Sequence, residues 1–224
     1  MEKVTSVDIG QMASASDVVF EALREAIITG KMRDGESIRQ DAVARMFNVS
    51  RIPVREALTR LEDVGLVTMR RYHGAVVSSL SVDDIEELYQ FRALLEADAI
   101  RHAVPRLKDE TIAEAKAYAD AFSRSTDSTE WGTLNRHFHY TLYRDCERPY
   151  FLQAIGQTLD RVNRYLRAQL MLTDGMVLAR AEHLAILDAC IARDAEVAAR
   201  LTHAHIVDAS ASLVRFLANN PAMR

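Results

Sequence analysis

Four side chains in the second half of the chain have the types and spacing to hold a metal ion: Asn135, His139, His183 and His205. Asn135 and His139 stand at i and i+4, about 40° apart around a helix axis and ~6 Å along it, so an amide oxygen and an imidazole point the same way. His205 shares a helical stripe with Ala198, Leu201, Ala209, Ser212 and Phe216, and His183 shares one with Met176, Leu187 and Cys190, so both face inward. If the last two helices turn near Asp194, these histidines lie eleven residues either side of it and reach the same height. Neutral imidazole suits a borderline-soft divalent cation, zinc foremost, with nickel, copper, iron or manganese as alternatives. A single inward histidine is ordinarily a satisfied core residue, and the spacing by itself leaves both readings open. His137, among Glu130, Thr133 and Arg144 on the opposite face, is expected in solvent.

Two further sets of residues suggest recognition rather than ligation. Arg51 and Arg55, four apart, stand just behind Ser50 and Pro53 at the start of a helical pattern. A helix N-terminus offers free N–H groups to phosphate, and the planar guanidinium can take guanine O6 and N7 together. Arg92 precedes Glu96 by four on a helix whose neighbouring positions, Leu88, Leu95 and Ala99, are apolar. That spacing fits an intrahelical ion pair, and it equally fits a clamp for the carboxylate of a small effector.

These residues need elements to carry them. At 224 residues the chain is longer than one core usually allows, so two domains are expected, 1–80 and 81–224. In the first, Val19, Phe20, Leu23, Ile27 and Ile28 predict a helix from Ser16 to Gly30, and Ile38, Val43, Ala44 and Phe47 predict a short one from about Gln40 to Phe47. Ser50 caps a third that ends at Gly65, and residues 66–77 read as a β-hairpin with Arg70, Arg71, His73 and Gly74 near its tip. Three helices and a hairpin, with a tight turn before the third helix, is the order of a winged helix-turn-helix. Residues 1–14 read as a loose arm, and Ser81 with Asp84 as a capping box opening the next element.

Beyond the linker the pattern is helical throughout, in six segments near 82–103, 109–125, 128–146, 149–172, 175–193 and 195–219. Short connections predict an antiparallel bundle, so the fold class is mainly α. The net charge of −4 argues against a nucleic-acid partner only until it is divided. The first 80 residues carry as many basic as acidic side chains, and the excess of acid lies entirely in the remainder. Two unpaired cysteines, Cys146 and Cys190, and the lack of a signal-peptide pattern or a long apolar run predict a cytoplasmic protein without a membrane partner.

The run Val49-Ser50-Arg51-Ile52-Pro53-Val54-Arg55-Glu56-Ala57-Leu58, followed by Leu61-Glu62 and Gly65-Leu66-Val67, resembles the signature of the GntR family of transcription regulators over about residues 14 to 80. The resemblance implies that the third helix reads the major groove and the hairpin lies against the minor groove. Ser50, Arg51, Pro53 and Arg55 would then belong to the reading surface, and Arg70, Arg71, His73 and Gly74 to the wing. Two departures stand out. Ile52 replaces a usual threonine, and Asp41 falls where some relatives place a DNA-contacting arginine.

Residues 82 to 217 are similar to the FCD ligand-binding domain of the FadR branch, through Leu88-Tyr89-Gln90-Phe91-Arg92-Ala93-Leu94-Leu95-Glu96, Asn135-Arg136-His137-Phe138-His139, Glu182-His183-Leu184-Ala185-Ile186-Leu187 and His205-Ile206. Six helices resemble the shorter, VanR-like type. The resemblance implies a metal held by Asn135, His139, His183 and His205, a small carboxylate bound beside it, and a homodimer on a near-palindromic operator, acting as a repressor. Competing expectations are a regulator that senses the metal itself and a metal-dependent enzyme. The enzyme would need a positioned base, for which Glu96 or Glu182 could serve, but neither sits in a hydrolase-like motif such as HExxH.

Overall fold

The computed structural model describes residues 13–70, 74–172 and 175–219, without the side chains at 164, 167–169, 171 and 172. The chain divides into two compact units, Met1–Ser79 and Leu80–Arg224. All but the end of the expected N-terminal arm lies outside the described residues.

In the first unit, α1 (Ala15–Ile28) is opened by a capping box in which Ser14 accepts from the Asp17 backbone and the Asp17 carboxylate accepts from that of Ser14. Helix α2 (Gln40–Phe47) ends at Asn48, whose left-handed φ of 52° turns the chain sharply toward α3 (Arg51–Asp63). Helix α3 closes with a Schellman arrangement: Gly65 takes φ +74°, the Leu66 N–H donates to Leu61 O at 2.9 Å, and both leucine side chains are buried. Strands β2 (Val67–Arg70) and β3 (Gly74–Val77) form the expected hairpin. A two-residue strand, β1 (Ser37–Ile38), pairs with β3 on its other side and completes an antiparallel sheet of order β1-β3-β2. Val19, Ile27, Val54, Leu58, Leu61 and Ala75 are among the side chains of the shared core, so the sheet and α3 are fastened to one another.

The second unit contains α4 (Val82–Ala103), α5 (Asp109–Arg124), α6 (Trp131–Tyr143), α7 (Pro149–Leu172), α8 (Gly175–Ile191) and α9 (Ala195–Asn219), with 3-10 turns at Val104–Arg106 and Arg144–Cys146. The six helices have the expected order. The third is shorter at both ends than its periodicity suggested, because residues 128–130 form a turn before it and the chain tightens into the second of those 3-10 turns after it. Ser81 and Asp84 form the capping box of α4. Helix α4 packs along α9, α5 along α6 and α8, and α8 along α9. Arg193, at φ 59°, ends α8, and the Asp194 carboxylate accepts from the Val197 N–H to start α9. The hairpin therefore turns where His183 and His205 are equidistant along the chain.

Candidate functional site

His139 from α6, His183 from α8 and His205 from α9 converge inside the second unit. Their ring centroids are 4.9 to 5.0 Å apart pairwise, and one ligand atom from each lies within 4.8 Å of the others. All three are buried. Periodicity put each histidine inward on its own helix, and the α8–α9 turn brings two of them level.

The hydrogen bonds around the rings fix which nitrogens remain available. Arg92 Nε donates to Glu96 Oε1 at 2.7 Å, and the Tyr143 hydroxyl donates to Glu96 Oε2 at 2.9 Å. Having spent its one proton, Tyr143 can only accept from His139 Nδ1, 3.1 Å away, which leaves the lone pair on Nε2. His205 Nδ1 lies 2.6 Å from Glu182 Oε2, so it donates to the carboxylate and its lone pair also sits on Nε2. This partnership fixes tautomer and ring orientation, as carboxylates do behind metal-bound histidines. His183 has neither; it is stacked on Phe138 with centroids 4.4 Å apart.

Nε2 of His139 and both ring nitrogens of His183 are buried with no hydrogen-bond partner among the described residues. Each such group costs about 1–3 kcal/mol when left unsatisfied, so a cluster of them in one place calls for a ligand. Burial, reinforced by the neighbouring imidazoles, holds the His139 and His183 pKa values well below the ordinary range, which keeps the rings neutral and able to coordinate. The donor set fits a borderline-soft divalent cation. Asn135 is buried on the same helix as His139 and lines a pocket with His205.

Arg92, Glu182 and Asp208 also line that pocket. Arg92 makes the expected intrahelical ion pair with the fully buried Glu96 four residues on, and it also lines the pocket. His137 departs from expectation. It is half-buried against Tyr118, centroids 4.9 Å apart, and desolvation lowers its pKa, because α5 covers the face of α6 that the sequence suggested was open.

In the first unit, Ser50, Arg51 and Arg55 are exposed at the N-terminal end of α3, with Pro53 half-buried in its first turn. Ser50 occupies the cap position but its side chain makes no capping bond. Ile52, in place of the usual threonine, is 60% exposed. Arg51 is ion-paired with Asp41 of α2, a relationship the sequence hid because the two residues belong to different helices. Glu62 of α3 accepts from the Met69 N–H of β2 at 2.8 Å and ties the wing to the helix. Arg70 is exposed at the end of β2, opposite Gly74, whose φ of +74° favours glycine. Arg71 and His73 lie outside the described residues.

Residues 15–77 match the family described as bacterial regulatory proteins, gntR family, and residues 87–208 match the FCD domain. The chain is 29% identical to the uncharacterized HTH-type transcriptional regulator BphR of Paraburkholderia xenovorans, over 93% of this chain and 89% of that one. It is 26% identical to the HTH-type transcriptional repressor GlaR of Escherichia coli, over 90% of this chain and 96% of that one. A GntR family member from Pseudomonas syringae, known as a crystal structure, is 31% identical with a TM-score of 0.58, over 93% of this chain and 88% of that one.

Proposed function

The chain belongs to the GntR family of transcription regulators, with an FCD domain behind its helix-turn-helix, and from that premise we propose that it is a repressor released from DNA by a small carboxylate bound beside a divalent metal. As a member of this family it is a regulator and not an enzyme. The observation that carries the finer reading is the cluster of unpartnered ring nitrogens on His139 and His183, beside His205 and adjoining a pocket lined by Arg92.

His139, His183 and His205 would hold the ion, with Asn135 as the fourth protein ligand and zinc the first choice. The ion would supply a Lewis-acidic anchor for an anionic oxygen. Glu182 and Tyr143 keep two of the imidazoles aimed, and Arg92 offers the carboxylate a cation in a sheltered setting, where charge-assisted bonds are strong. Three helices, α6, α8 and α9, meet at the cluster, so occupancy there changes their mutual packing. A ligand alters DNA affinity only through different affinities for two arrangements of the protein.

On the DNA side, Ser50, Arg51 and Arg55 would enter the major groove, with Pro53 setting the first turn, while Arg70, Arg71, His73 and Gly74 form the wing. A homodimer would place two such units on a near-palindromic operator. No described helix is long and apolar enough to cross a membrane, and work on DNA would put the protein in the cytoplasm. Two relatives bear the name of repressor, GlaR and the gluconate operon repressor of Bacillus subtilis, which favours repression over activation. The test is selection of a bound sequence from random DNA, then gel shift with metal-stripped protein, zinc-restored protein, and zinc-restored protein with organic acids. Release by an acid only when zinc is present supports the proposal. Release by zinc alone would make the ion the signal.

A further inference from the structure

The pocket beside the histidines combines one arginine with a set of aliphatic side chains, and from this we infer the class of effector: an organic acid with a single carboxylate on an apolar body, in place of a polycarboxylate or a polyhydroxylated acid. The inference rests on the reading of the histidines and Arg92 as the anchoring end. Among the described lining residues Arg92 is the only cation, and its Nε is already bonded to Glu96. With the ion counted, a single carboxylate could engage both positive charges, one oxygen on each.

Much of the remaining lining is hydrocarbon. Val162, Leu166 and Leu170 line the pocket at i, i+4 and i+8 of α7, and Ala179, Ile206 and Ala209 line it from α8 and α9. Val162, Leu170 and Ile206 are 1 to 3% exposed, so this part of the lining belongs to the core. The remaining charged lining residues are acids. Glu182 is engaged by His205, and Asp208 is exposed, three residues beyond His205 on α9. A second carboxylate, engaging neither Arg92 nor the ion, would meet aliphatic side chains or a like charge, and both oppose it. A body rich in hydroxyls is opposed by the aliphatic part of the lining, which offers O–H groups no partner.

The sequence has one tryptophan, and Trp131 packs against the cluster of Phe122, Leu170, Met176 and Ala179, two of which wall the pocket. Its fluorescence therefore reports on the apolar end independently of DNA release. The experiment uses zinc-loaded full-length protein titrated with butyrate, hexanoate, octanoate, adipate and gluconate, followed by Trp131 emission and calorimetry. Affinity is expected to rise about threefold to fourfold per methylene until the pocket is filled. Adipate, the diacid of hexanoate's length, should bind about tenfold or more weaker than hexanoate. Asp208→Asn should recover part of that loss for adipate and leave hexanoate unchanged. Adipate or gluconate binding as tightly as hexanoate, in a manner lost with Arg92→Lys, would overturn the inference while preserving the carboxylate site. Absence of binding by every acid in the series would overturn both.

Discussion

His205 of α9 donates from Nδ1 to the Glu182 carboxylate of α8 across 2.6 Å, one residue before the buried His183. Glu182 thus fixes the ring of one candidate ligand from the helix that supplies another. Its own side chain is 32% exposed, so its removal leaves the core intact. Glu182→Gln is expected to weaken zinc binding about 10- to 100-fold with little change in the apoprotein's melting temperature. Competition with a chromogenic chelator measures the first and calorimetric melting the second. Unaltered zinc affinity would detach Glu182 from the site.

Removal of the metal should cost stability as well as affinity, because the unpartnered nitrogens of His139 and His183 lose their ligand. At a free zinc concentration ~100 times the dissociation constant, the holoprotein is expected to be about 2.7 kcal/mol more stable than the stripped form. Denaturant titration with chelator or with zinc reads this difference directly. His183→Ala should abolish the difference, and its persistence in that variant would place the ion elsewhere.

Arg92→Ala should destabilise the second unit by about 3–5 kcal/mol, because Glu96 is 0% exposed and would be left as an uncompensated buried charge. Arg92→Lys keeps the charge but loses the planar fork, so it should retain most of the stability and lose carboxylate affinity. A stable lysine variant that binds the acid as the wild type does would limit Arg92 to its partnership with Glu96.

On α3, Arg51→Ala and Arg55→Ala are each expected to weaken specific binding by about 1–3 kcal/mol, whereas Arg70→Ala should reduce affinity for all sequences alike. Gel-shift titration at fixed salt against selected and scrambled DNA separates the two patterns. Loss confined to the selected sequence on removing Arg70 would contradict a phosphate contact for the wing.

Asp41 engages Arg51, and both are exposed, at 54% and 73%. Because exposed pairs are worth at most ~1 kcal/mol, the ion pair orients Arg51 without locking it. Asp41→Ala should raise affinity for scrambled DNA by a few fold through lost repulsion of phosphate, and so narrow the ratio of specific to non-specific binding. An unchanged ratio would leave Asp41 without a part in reading.

What the sequence made legible follows from which interactions are local. The six helices of the second unit and the facing of His139, His183 and His205 follow from 3.6-residue periodicity, and the α8–α9 turn from residues near Asp194. Strand β1 escaped notice because two residues cannot show a period of two, and Ile38 fitted the helical pattern that follows it. The Tyr143–Glu96 bond and the Arg51–Asp41 pair were equally hidden, since each joins residues on different helices that only tertiary packing brings together. His137 misled for the same reason: its own helix shows a polar face, and only the placement of α5 reveals that Tyr118 covers it.

The central claim is that a carboxylate acts through the metal-loaded pocket to release DNA. Fluorescence anisotropy of a labelled, selected DNA duplex, titrated with hexanoate against zinc-loaded wild-type protein and the Arg92→Lys variant in parallel, tests it most directly. The expected result is release from the wild type at concentrations that leave the variant bound. Equal release from both proteins, or release from the wild type after zinc has been stripped, would contradict the account.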